Sequence, residues 1–211
     1  MKDYEKLSKQ HFDKQAAVYD ETETAFYSKF PKISCTDVAK RFSEIKFSKL
    51  LDVGCGTGYL INLLRDRSDA VFYGLDLSPE MIKVARKKLG ESVYLAEGSA
   101  LTLPYDDSVF DVVTCVQSFH HYPDPTKAMK EAYRVTANGG RYILSDTGVG
   151  GLGQWIDNHL MFKLMNSGDY AAYSRHDIEK MMRQAGFEIE TSEQLTKTIY
   201  TVVGKKTEAA T

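Results

Sequence analysis

The stretch Leu50-Leu51-Asp52-Val53-Gly54-Cys55-Gly56-Thr57-Gly58 is the most informative part of this sequence. Its apolar start predicts a buried strand, its three glycines predict a tight turn, and the apolar spacing over 59–64 predicts a helix. Glycine has no Cβ, so it adopts positive φ and lets another molecule approach the backbone. A helix that begins there points free N–H groups and its positive dipole end at the turn. A plain turn is the alternative, but it seldom needs three glycines at this spacing, which favours a ligand site.

Strands and helices alternate after this turn. Helices are predicted over 58–66, 78–89 and 125–136, and strands over 49–53, 70–76, 92–97, 109–116 and 141–146. This alternation predicts an α/β fold with a doubly wound, mostly parallel, Rossmann-like sheet and right-handed crossovers. Residues 187–191 and 198–203 predict two final strands, which complete seven strands and form an antiparallel pair at one sheet edge. The sequence Asn138-Gly139-Gly140 predicts the end of the helix before the fifth strand.

Two segments lie outside this alternation. Residues 1–45 predict an N-terminal helical cap, with one helix over 2–20, a break near 20–24 and a second helix over 35–45 capped by Ser34 or Thr36. The first helix is either a surface helix that packs on the core or a flap over a ligand. Residues 147–175 interrupt the pattern and are expected to form a wall of the substrate pocket. We predict one domain over 1–204 and a frayed tail over 205–211.

Composition and charge give no support for a nucleic-acid-binding, membrane or metal-binding protein. The chain has 211 residues and a formal net charge of −2, with a pI of about 6.2, so charge gives no argument for binding nucleic acid or an anionic membrane. No apolar run approaches the roughly 18–20 residues of a membrane span. Three widely spaced cysteines, with no visible disulfide or metal-ligand spacing, favour a reducing cytoplasmic setting and no metal.

Polar residues follow the predicted strands, where an open parallel sheet binds its ligands. Asp76 ends the second strand, 18 residues after Gly58, where an acid can accept hydrogen bonds from both ribose hydroxyls of a nucleoside. The third strand ends near Ser99. The fourth ends in Gln117-Ser118-Phe119-His120-His121. We therefore expect these side chains to surround one nucleoside ligand.

The glycine spacing narrows the choice of nucleoside. A dinucleotide fingerprint would place its third glycine at position 59, but this residue is Tyr59 and the glycine falls at Gly58. The turn carries no basic residue to meet a phosphate, and the Gly-Lys-Ser/Thr of a P-loop is absent. A ligand with an amino-acid head and a sulfonium fits better, because backbone carbonyls can hold its ammonium while an acid compensates the charge.

Four groups of residues together resemble the class I S-adenosylmethionine-dependent methyltransferases. Within this family, the sequence most resembles the branch that includes the ubiquinone and menaquinone biosynthesis enzymes and many small-molecule methyltransferases. The matching motifs are concentrated in residues 45–147. The start, His11-Phe12-Asp13 with Tyr19-Asp20, also resembles the segment that folds over the cofactor in such enzymes. The groups are Leu51 to Gly58; Gly74-Leu75-Asp76-Leu77-Ser78-Pro79-Glu80-Met81; Leu103-Pro104-Tyr105 with Phe110-Asp111-Val112-Val113; and Tyr133-Arg134-Val135 with Gly139-Gly140.

The resemblance implies S-adenosylmethionine as cofactor and assigns residues to its methionine end. Three glycines would pass beneath the methionine: Gly54, Gly56 and Gly58. Asp52 would lie just under it and organise the turn. Gln117 and Ser118 would lie beside the methyl end, and Tyr19 could close over it.

At the other end of the cofactor, the resemblance implies that Asp76 binds the ribose hydroxyls and that Leu77 lies against the adenine. Ser99 stands where the family very often has an aspartate that accepts from the adenine amino group. A hydroxyl still accepts a hydrogen bond, but more weakly than a carboxylate. Ala100 or a water could supply part of this contact.

The methyl acceptor is the least defined part of the site. His120 and His121 are candidates for a general base or a substrate contact, with a simple turn pair, one packed and one solvated, as the alternative. We expect a small-molecule acceptor and a monomer or homodimer. The alternatives are a sensor that binds S-adenosylmethionine or S-adenosylhomocysteine without transfer, a nucleotide-dependent oxidoreductase, which Tyr59 disfavours, and a protein or nucleic-acid methyltransferase, for which no basic stripe is visible.

Overall fold

The computed structural model describes residues 2–20, 26–43, 45–161 and 168–207. Its centre is a seven-stranded sheet of order β3-β2-β1-β4-β5-β7-β6. The predicted doubly wound α/β fold is therefore confirmed. The strands are β1 (Lys49–Val53), β2 (Val71–Asp76), β3 (Val93–Glu97), β4 (Phe110–Val116), β5 (Thr136–Thr147), β6 (Glu188–Gln194) and β7 (Ile199–Lys205).

The strand order reverses at β1. This strand pairs in parallel with β2 on one side and with β4 on the other. The carboxyl ends of β1 and β4 therefore flank the crevice in which open α/β sheets bind their ligands. At the far side, β7 pairs antiparallel with both β5 and β6, which confirms the antiparallel pair and places the reversed strand one position in from the edge.

Helices cover both faces of the sheet. Consecutive residues of β4 point to opposite faces, so Val112 packs with the cluster under α2, α3 and α4, and Val113 packs with the cluster under α5 and α7. This two-sided burial explains why β4 reads as a nearly continuous apolar run. The helices are α1 (Tyr4–Gln15), α2 (Phe26–Arg41), α3 (Tyr59–Leu64), α4 (Pro79–Leu89), α5 (Pro125–Val135), α6 (Leu152–Ile156) and α7 (Arg175–Ala185).

Local sequence signals set the ends of several helices. The Ser78 hydroxyl accepts a hydrogen bond from the Met81 amide and caps α4, whose first residue is Pro79. Ser174 and Asp177 form a capping box at the start of α7, and Gly186 ends that helix with a positive φ. Residues close in sequence therefore define the ends of both helices.

Three boundaries differ from the sequence predictions. Helix α2 runs from Phe26 to Arg41, so Ser34 and Thr36 both lie inside it and neither caps its start. Pro31 also lies inside this helix, although proline usually interrupts a helix. Helix α5 ends at Val135 and β5 starts at once, so Asn138-Gly139-Gly140 belongs to the strand. The predicted break near 20–24 and the predicted pocket wall of 147–175 lie partly outside the described residues.

The predicted tail begins too early. Strand β7 continues through Lys205, and Lys206 is only 7% exposed. Its ammonium donates to the backbone carbonyls of Tyr133 and Thr136 at the end of α5, where the helix dipole favours a cation. In the described part of the chain, no helix combines the length and apolar character needed to cross a membrane.

Candidate active site

A cavity opens at the carboxyl ends of β1, β2, β3 and β4. Its volume is about 970 Å³, including the space at its mouth. Most of the residues expected at the cofactor line this cavity, although Gly58 and His120 are not among the lining residues. The expected residues that do line it are Tyr19, Asp52, Gly54, Gly56, Asp76, Leu77, Ser99, Ala100, Gln117, Ser118 and His121.

The three glycines of the turn meet different needs, although all have positive φ. A Cβ on Gly54 would lie 2.0 Å from the Ser118 hydroxyl oxygen, so the turn passes directly against the end of β4. A Cβ on Gly56 would meet nothing within 4 Å, which leaves this backbone open to a ligand. A Cβ on Gly58 would lie 2.6 Å from Leu89 Cδ1, so this glycine permits close packing of α3 on α4.

The Asp76 carboxylate is held by the backbone on both oxygens. Its Oδ2 accepts from the Gly56 amide at 2.8 Å and its Oδ1 accepts from the Ser78 amide at 2.9 Å. Burial raises the pKa of Asp76, and these backbone hydrogen bonds oppose the rise. Each carboxylate oxygen keeps a lone pair, so the group can still accept the two hydroxyls of a ribose.

Asp52 is a buried carboxyl beneath the turn. It is 3% exposed, and its Oδ1 accepts from the Thr114 hydroxyl at 2.7 Å. Burial raises the pKa of Asp52 to about 7, because the Thr114 hydrogen bond only partly offsets desolvation and the Asp76 charge adds to it. A cation placed beside Asp52 would therefore stabilise its ionised form.

Helix α1 lies across the cavity. The Ser78 hydroxyl donates to Asp13 at 2.6 Å, and beyond the helix the Thr57 hydroxyl donates to Asp20 at 2.8 Å. Lys88 forms an ion pair with the same Asp20. These contacts tie the N-terminal segment to the glycine turn and to α4, and they favour the flap interpretation over a surface helix. Tyr19 lines the cavity, and burial raises its pKa to about 12.

The sequence reasoning missed Glu5. The Ser99 hydroxyl donates to the Glu5 carboxylate at 2.5 Å and accepts from the Leu101 amide. A carboxylate is thus present beside Ser99, although it comes from α1 instead of the loop after β3. The spacing of Glu5, Lys9 and Phe12, which all line the cavity, is that of one helix face, and this signal could have identified Glu5.

Gln117, the residue directly after β4, has an unusual backbone conformation. It is a non-glycine residue with a φ of +52°, and its amide side chain donates to Ser34 and accepts from Thr147. The next residue, Ser118, lies with its hydroxyl 2.9 Å from the Tyr122 hydroxyl. Backbone strain of this kind collects at ligand sites when surrounding contacts hold it in place.

The two adjacent histidines are both largely buried, so the expected solvated member of the pair is not found. The His120 Nδ1 lies 2.7 Å from Asp146 Oδ1. Burial alone would lower the pKa of His120, but the negative charge of Asp146 outweighs this effect, so the pKa is raised. Burial and the neighbouring His120 lower the pKa of His121 to about 3. Only His121 lines the cavity, 5.0 Å from the Phe12 ring centre.

Comparisons with known proteins identify a methyltransferase domain in this chain. Residues 51–144 match the family model described as "Methyltransferase domain". The chain is 41% identical over 100 residues to a demethylmenaquinone methyltransferase of Deinococcus radiodurans, covering 46% of this chain and 42% of that protein. It is 33% identical over 150 residues to a demethylmenaquinone methyltransferase of Anoxybacillus flavithermus, covering 68% and 60%. The chain thus spans about half the length of the curated relatives it matches.

The fold comparison covers more of the chain. The protein bound to the Haloferax volcanii Trm112 methyltransferase activator superposes with a TM-score of 0.81 at 20% identity, covering 97% of this chain and 99% of that one. The fold and the domain match together identify residues 51–144 as a methyltransferase domain with the class I fold. The sequence resembles the branch of menaquinone and ubiquinone biosynthesis enzymes, as its similarity to the two demethylmenaquinone methyltransferases indicates.

Proposed function

We propose that this chain transfers a methyl group from S-adenosylmethionine to a small molecule. The observation that carries the proposal is the backbone-held Asp76 carboxylate beside the open Gly56 turn, inside the cavity at the strand ends. The named relatives act on demethylmenaquinone, which supports a small-molecule acceptor. We propose a monomer or homodimer that needs no nucleic-acid partner.

The cofactor is expected to lie along the sheet edge with its adenosine towards β2 and β3. Asp76 accepts the two ribose hydroxyls, and Leu77 and Ala100 flank the adenine. Ser99 and Glu5 together receive the adenine amino group. This assignment uses the carboxylate that α1 brings to the position where the family usually has an aspartate in the loop.

The methionine end is expected over the glycine turn. Gly54 and Gly56 give the backbone close access, Gly58 permits the packing of α3, and Asp52 compensates the ammonium charge. Gln117 borders the methyl group, and Tyr19 closes the cavity from the flap. The sulfonium methyl is already activated, so the protein acts mainly by alignment and by exclusion of water.

On the acceptor side, His121 and Tyr122 line the cavity, and the segment after residue 168 contacts the neighbouring His120. Tyr170 and Ala171 donate through their amides to the His120 carbonyl, and the Tyr4 ring of α1 packs on Tyr170 at 5.1 Å. His120 and His121 are therefore proposed to contact or position the acceptor. Part of the segment 147–175 lies outside the described residues, and its role as a pocket wall is part of the proposal.

An acceptor screen tests the proposed activity. The full chain is incubated with S-adenosylmethionine labelled on its methyl group and with small aromatic alcohols, amines and quinone-type rings. The expected result is S-adenosylhomocysteine and labelled acceptor in equal amounts. Tight cofactor binding without transfer to any acceptor would instead favour the sensor alternative.

Glu5→Gln is expected to weaken S-adenosylmethionine binding about tenfold. The substitution replaces a charged acceptor at the adenine with a neutral one, and a hydrogen bond to a charged group contributes about 1.5–3 kcal/mol. Calorimetry measures the affinity, and Glu80→Gln, on an exposed position of α4, is the matched control. Equal affinities for both variants would remove Glu5 from the adenine site.

S-Adenosylmethionine affinity is expected to rise several-fold between pH 6 and pH 7.5. Asp52 has a pKa of about 7 in the free protein and must ionise to compensate the ammonium, so binding releases a proton in this range. Asp52→Asn is expected to flatten this pH dependence. A wild-type pH profile that the substitution leaves unchanged would contradict the role of Asp52.

The same substitution provides a check on stability. Because folding raises the pKa of Asp52 above its usual value of 3.8, the protonated group contributes fully to stability below about pH 3.8, and this contribution is lost as pH rises through about 7. Asp52→Asn should therefore raise the melting temperature more at pH 8 than at pH 5. Scanning calorimetry at both pH values measures the difference.

A further inference from the structure

Two adjacent histidines and an aspartate from a distant segment converge beside the acceptor side of the cavity. His120 Nε2 lies 3.6 Å from Asp169 Oδ1, and His121 Nδ1 lies 3.4 Å from the same oxygen. One ligand atom from each of the three lies within 4.8 Å of the other two. Backbone hydrogen bonds from 170 and 171 to the His120 carbonyl hold the two segments together. We refer to His120, His121 and Asp169 as the His-His-Asp cluster.

The distances in the His-His-Asp cluster suit a shared ion better than direct hydrogen bonds. Nitrogen and oxygen ligands at about 2.0–2.2 Å from a tetrahedral Zn²⁺ lie about 3.3–3.6 Å from one another. The two separations from Asp169 Oδ1 fall within this range. A hydrogen bond between a ring nitrogen and a carboxylate would be about 2.7–2.9 Å long.

The residues around His120 orient its imidazole ring so that one nitrogen can bind a metal ion. Asp146 Oδ1 lies 2.7 Å from Nδ1, and Asp146 Oδ2 accepts from the His120 amide. Nδ1 therefore donates to Asp146, and Nε2 keeps its lone pair on the side that faces Asp169. A carboxylate that orients the ring through its other nitrogen is the usual support of a metal-bound histidine.

His121 provides an independent observation. Its Nδ1 is buried and has no hydrogen-bond partner among the described residues, although it lies close to the Asp169 carboxylate. Buried polar atoms of this kind are few in native proteins and call for an explanation such as a bound ion. The side chain is 11% exposed and lines the cavity, so an ion at Nδ1 would lie next to the acceptor space.

We propose that His120 Nε2, His121 Nδ1 and Asp169 Oδ1 bind one divalent transition-metal ion, with Zn²⁺ as the best match. Two imidazoles and one carboxylate form a donor set that suits zinc, and three protein ligands leave a position open for a further oxygen. This metal site replaces the earlier expectation of no metal. Asp146 acts as a positioning residue for His120.

The open coordination position gives the metal ion a role in methyl transfer, and this role rests on the proposed function. An acceptor hydroxyl bound to the ion loses its proton to water more readily, because the metal lowers its pKa. The resulting oxygen attacks the sulfonium methyl. The O–C bond forms, the S–C bond breaks, and S-adenosylhomocysteine leaves with both electrons of that bond. The acceptor class is therefore an alcohol or phenol.

Zinc titration of the tag-free full chain tests the site. After removal of metals with a chelator, the protein should bind one Zn²⁺ per chain, measured by calorimetry. One Co²⁺ should give the visible absorption of a tetrahedral site. His121→Gln and Asp169→Asn should each weaken zinc binding at least 100-fold, and Asp146→Asn about 10–100-fold. His176→Ala, at an 85% exposed side chain, is the matched control and should bind zinc as the parent does.

Two results would overturn the proposed metal site. One is the absence of stoichiometric zinc binding, and the other is equal zinc affinity in the parent, His121→Gln and Asp169→Asn. S-Adenosylmethionine binding, measured on each zinc-free variant, reports whether the variant is folded. Asp76→Ala should lose cofactor affinity and keep zinc affinity, so failure of the metal site and failure of the proposed function give different results.

Discussion

Asp76→Ala should weaken S-adenosylmethionine binding by about 2–4 kcal/mol, because it removes two charge-assisted hydrogen bonds to the ribose. It also removes the acceptor for the Gly56 and Ser78 amides, which shapes the turn. Asp76→Asn keeps the size and one acceptor oxygen, so its affinity should fall between those of the parent and Asp76→Ala. Calorimetric titration with S-adenosylmethionine measures the series.

The control for Asp76 is Asp66→Ala, at a side chain that is 86% exposed. This variant should bind the cofactor as the parent does. Melting temperatures show whether the loss in Asp76→Ala arises from the site or from unfolding. If a folded Asp76→Ala protein bound S-adenosylmethionine with parental affinity, Asp76 would have no role at the ribose.

Gly54→Ala should destabilise the fold and abolish cofactor binding. Positive φ costs an alanine roughly 1–2 kcal/mol, and forced overpacking typically adds about 1–3 kcal/mol. The added methyl group would lie 2.0 Å from the Ser118 hydroxyl oxygen and 2.9 Å from the Tyr122 hydroxyl oxygen. Both neighbours line the cavity, so the clash would distort the cofactor site directly.

Gly139→Ala separates the two causes of this loss. Gly139 has a φ of +77°, but a Cβ there would meet nothing within 4 Å. The substitution should therefore show only the backbone cost and leave cofactor binding intact. Urea unfolding and calorimetry measure both effects, and equal losses in the two variants would mean that the contact with Ser118 is unimportant.

The features that could be predicted from the sequence are those encoded by neighbouring residues. The glycine turn, the Ser78-Pro79 helix start and the acid at the end of β2 all lie within short windows with strong conformational preferences. They were sufficient to predict a doubly wound parallel sheet and to place Asp52 and Asp76 at one ligand site. The start of α2 was predicted too late in the sequence, since Pro31, a residue that usually interrupts helices, lies inside it.

The features that could not be predicted from the sequence depend on long-range packing. Glu5 reaches Ser99 across 94 positions, and Asp146 reaches His120 across 26. No local pattern fixes the angle at which α1 crosses the sheet, so the carboxylate at the adenine position could not be assigned. In the same way, the convergence of Asp169 on the histidine pair requires the fold of the segment after 168.

Calorimetric titration of the full chain with S-adenosylmethionine tests most directly whether the glycine turn and Asp76 form a sulfonium cofactor site. We expect one molecule bound per chain, displaced by S-adenosylhomocysteine and unaffected by a nicotinamide dinucleotide. Binding of the dinucleotide, with no heat from S-adenosylmethionine or S-adenosylhomocysteine, would contradict the assignment of this site.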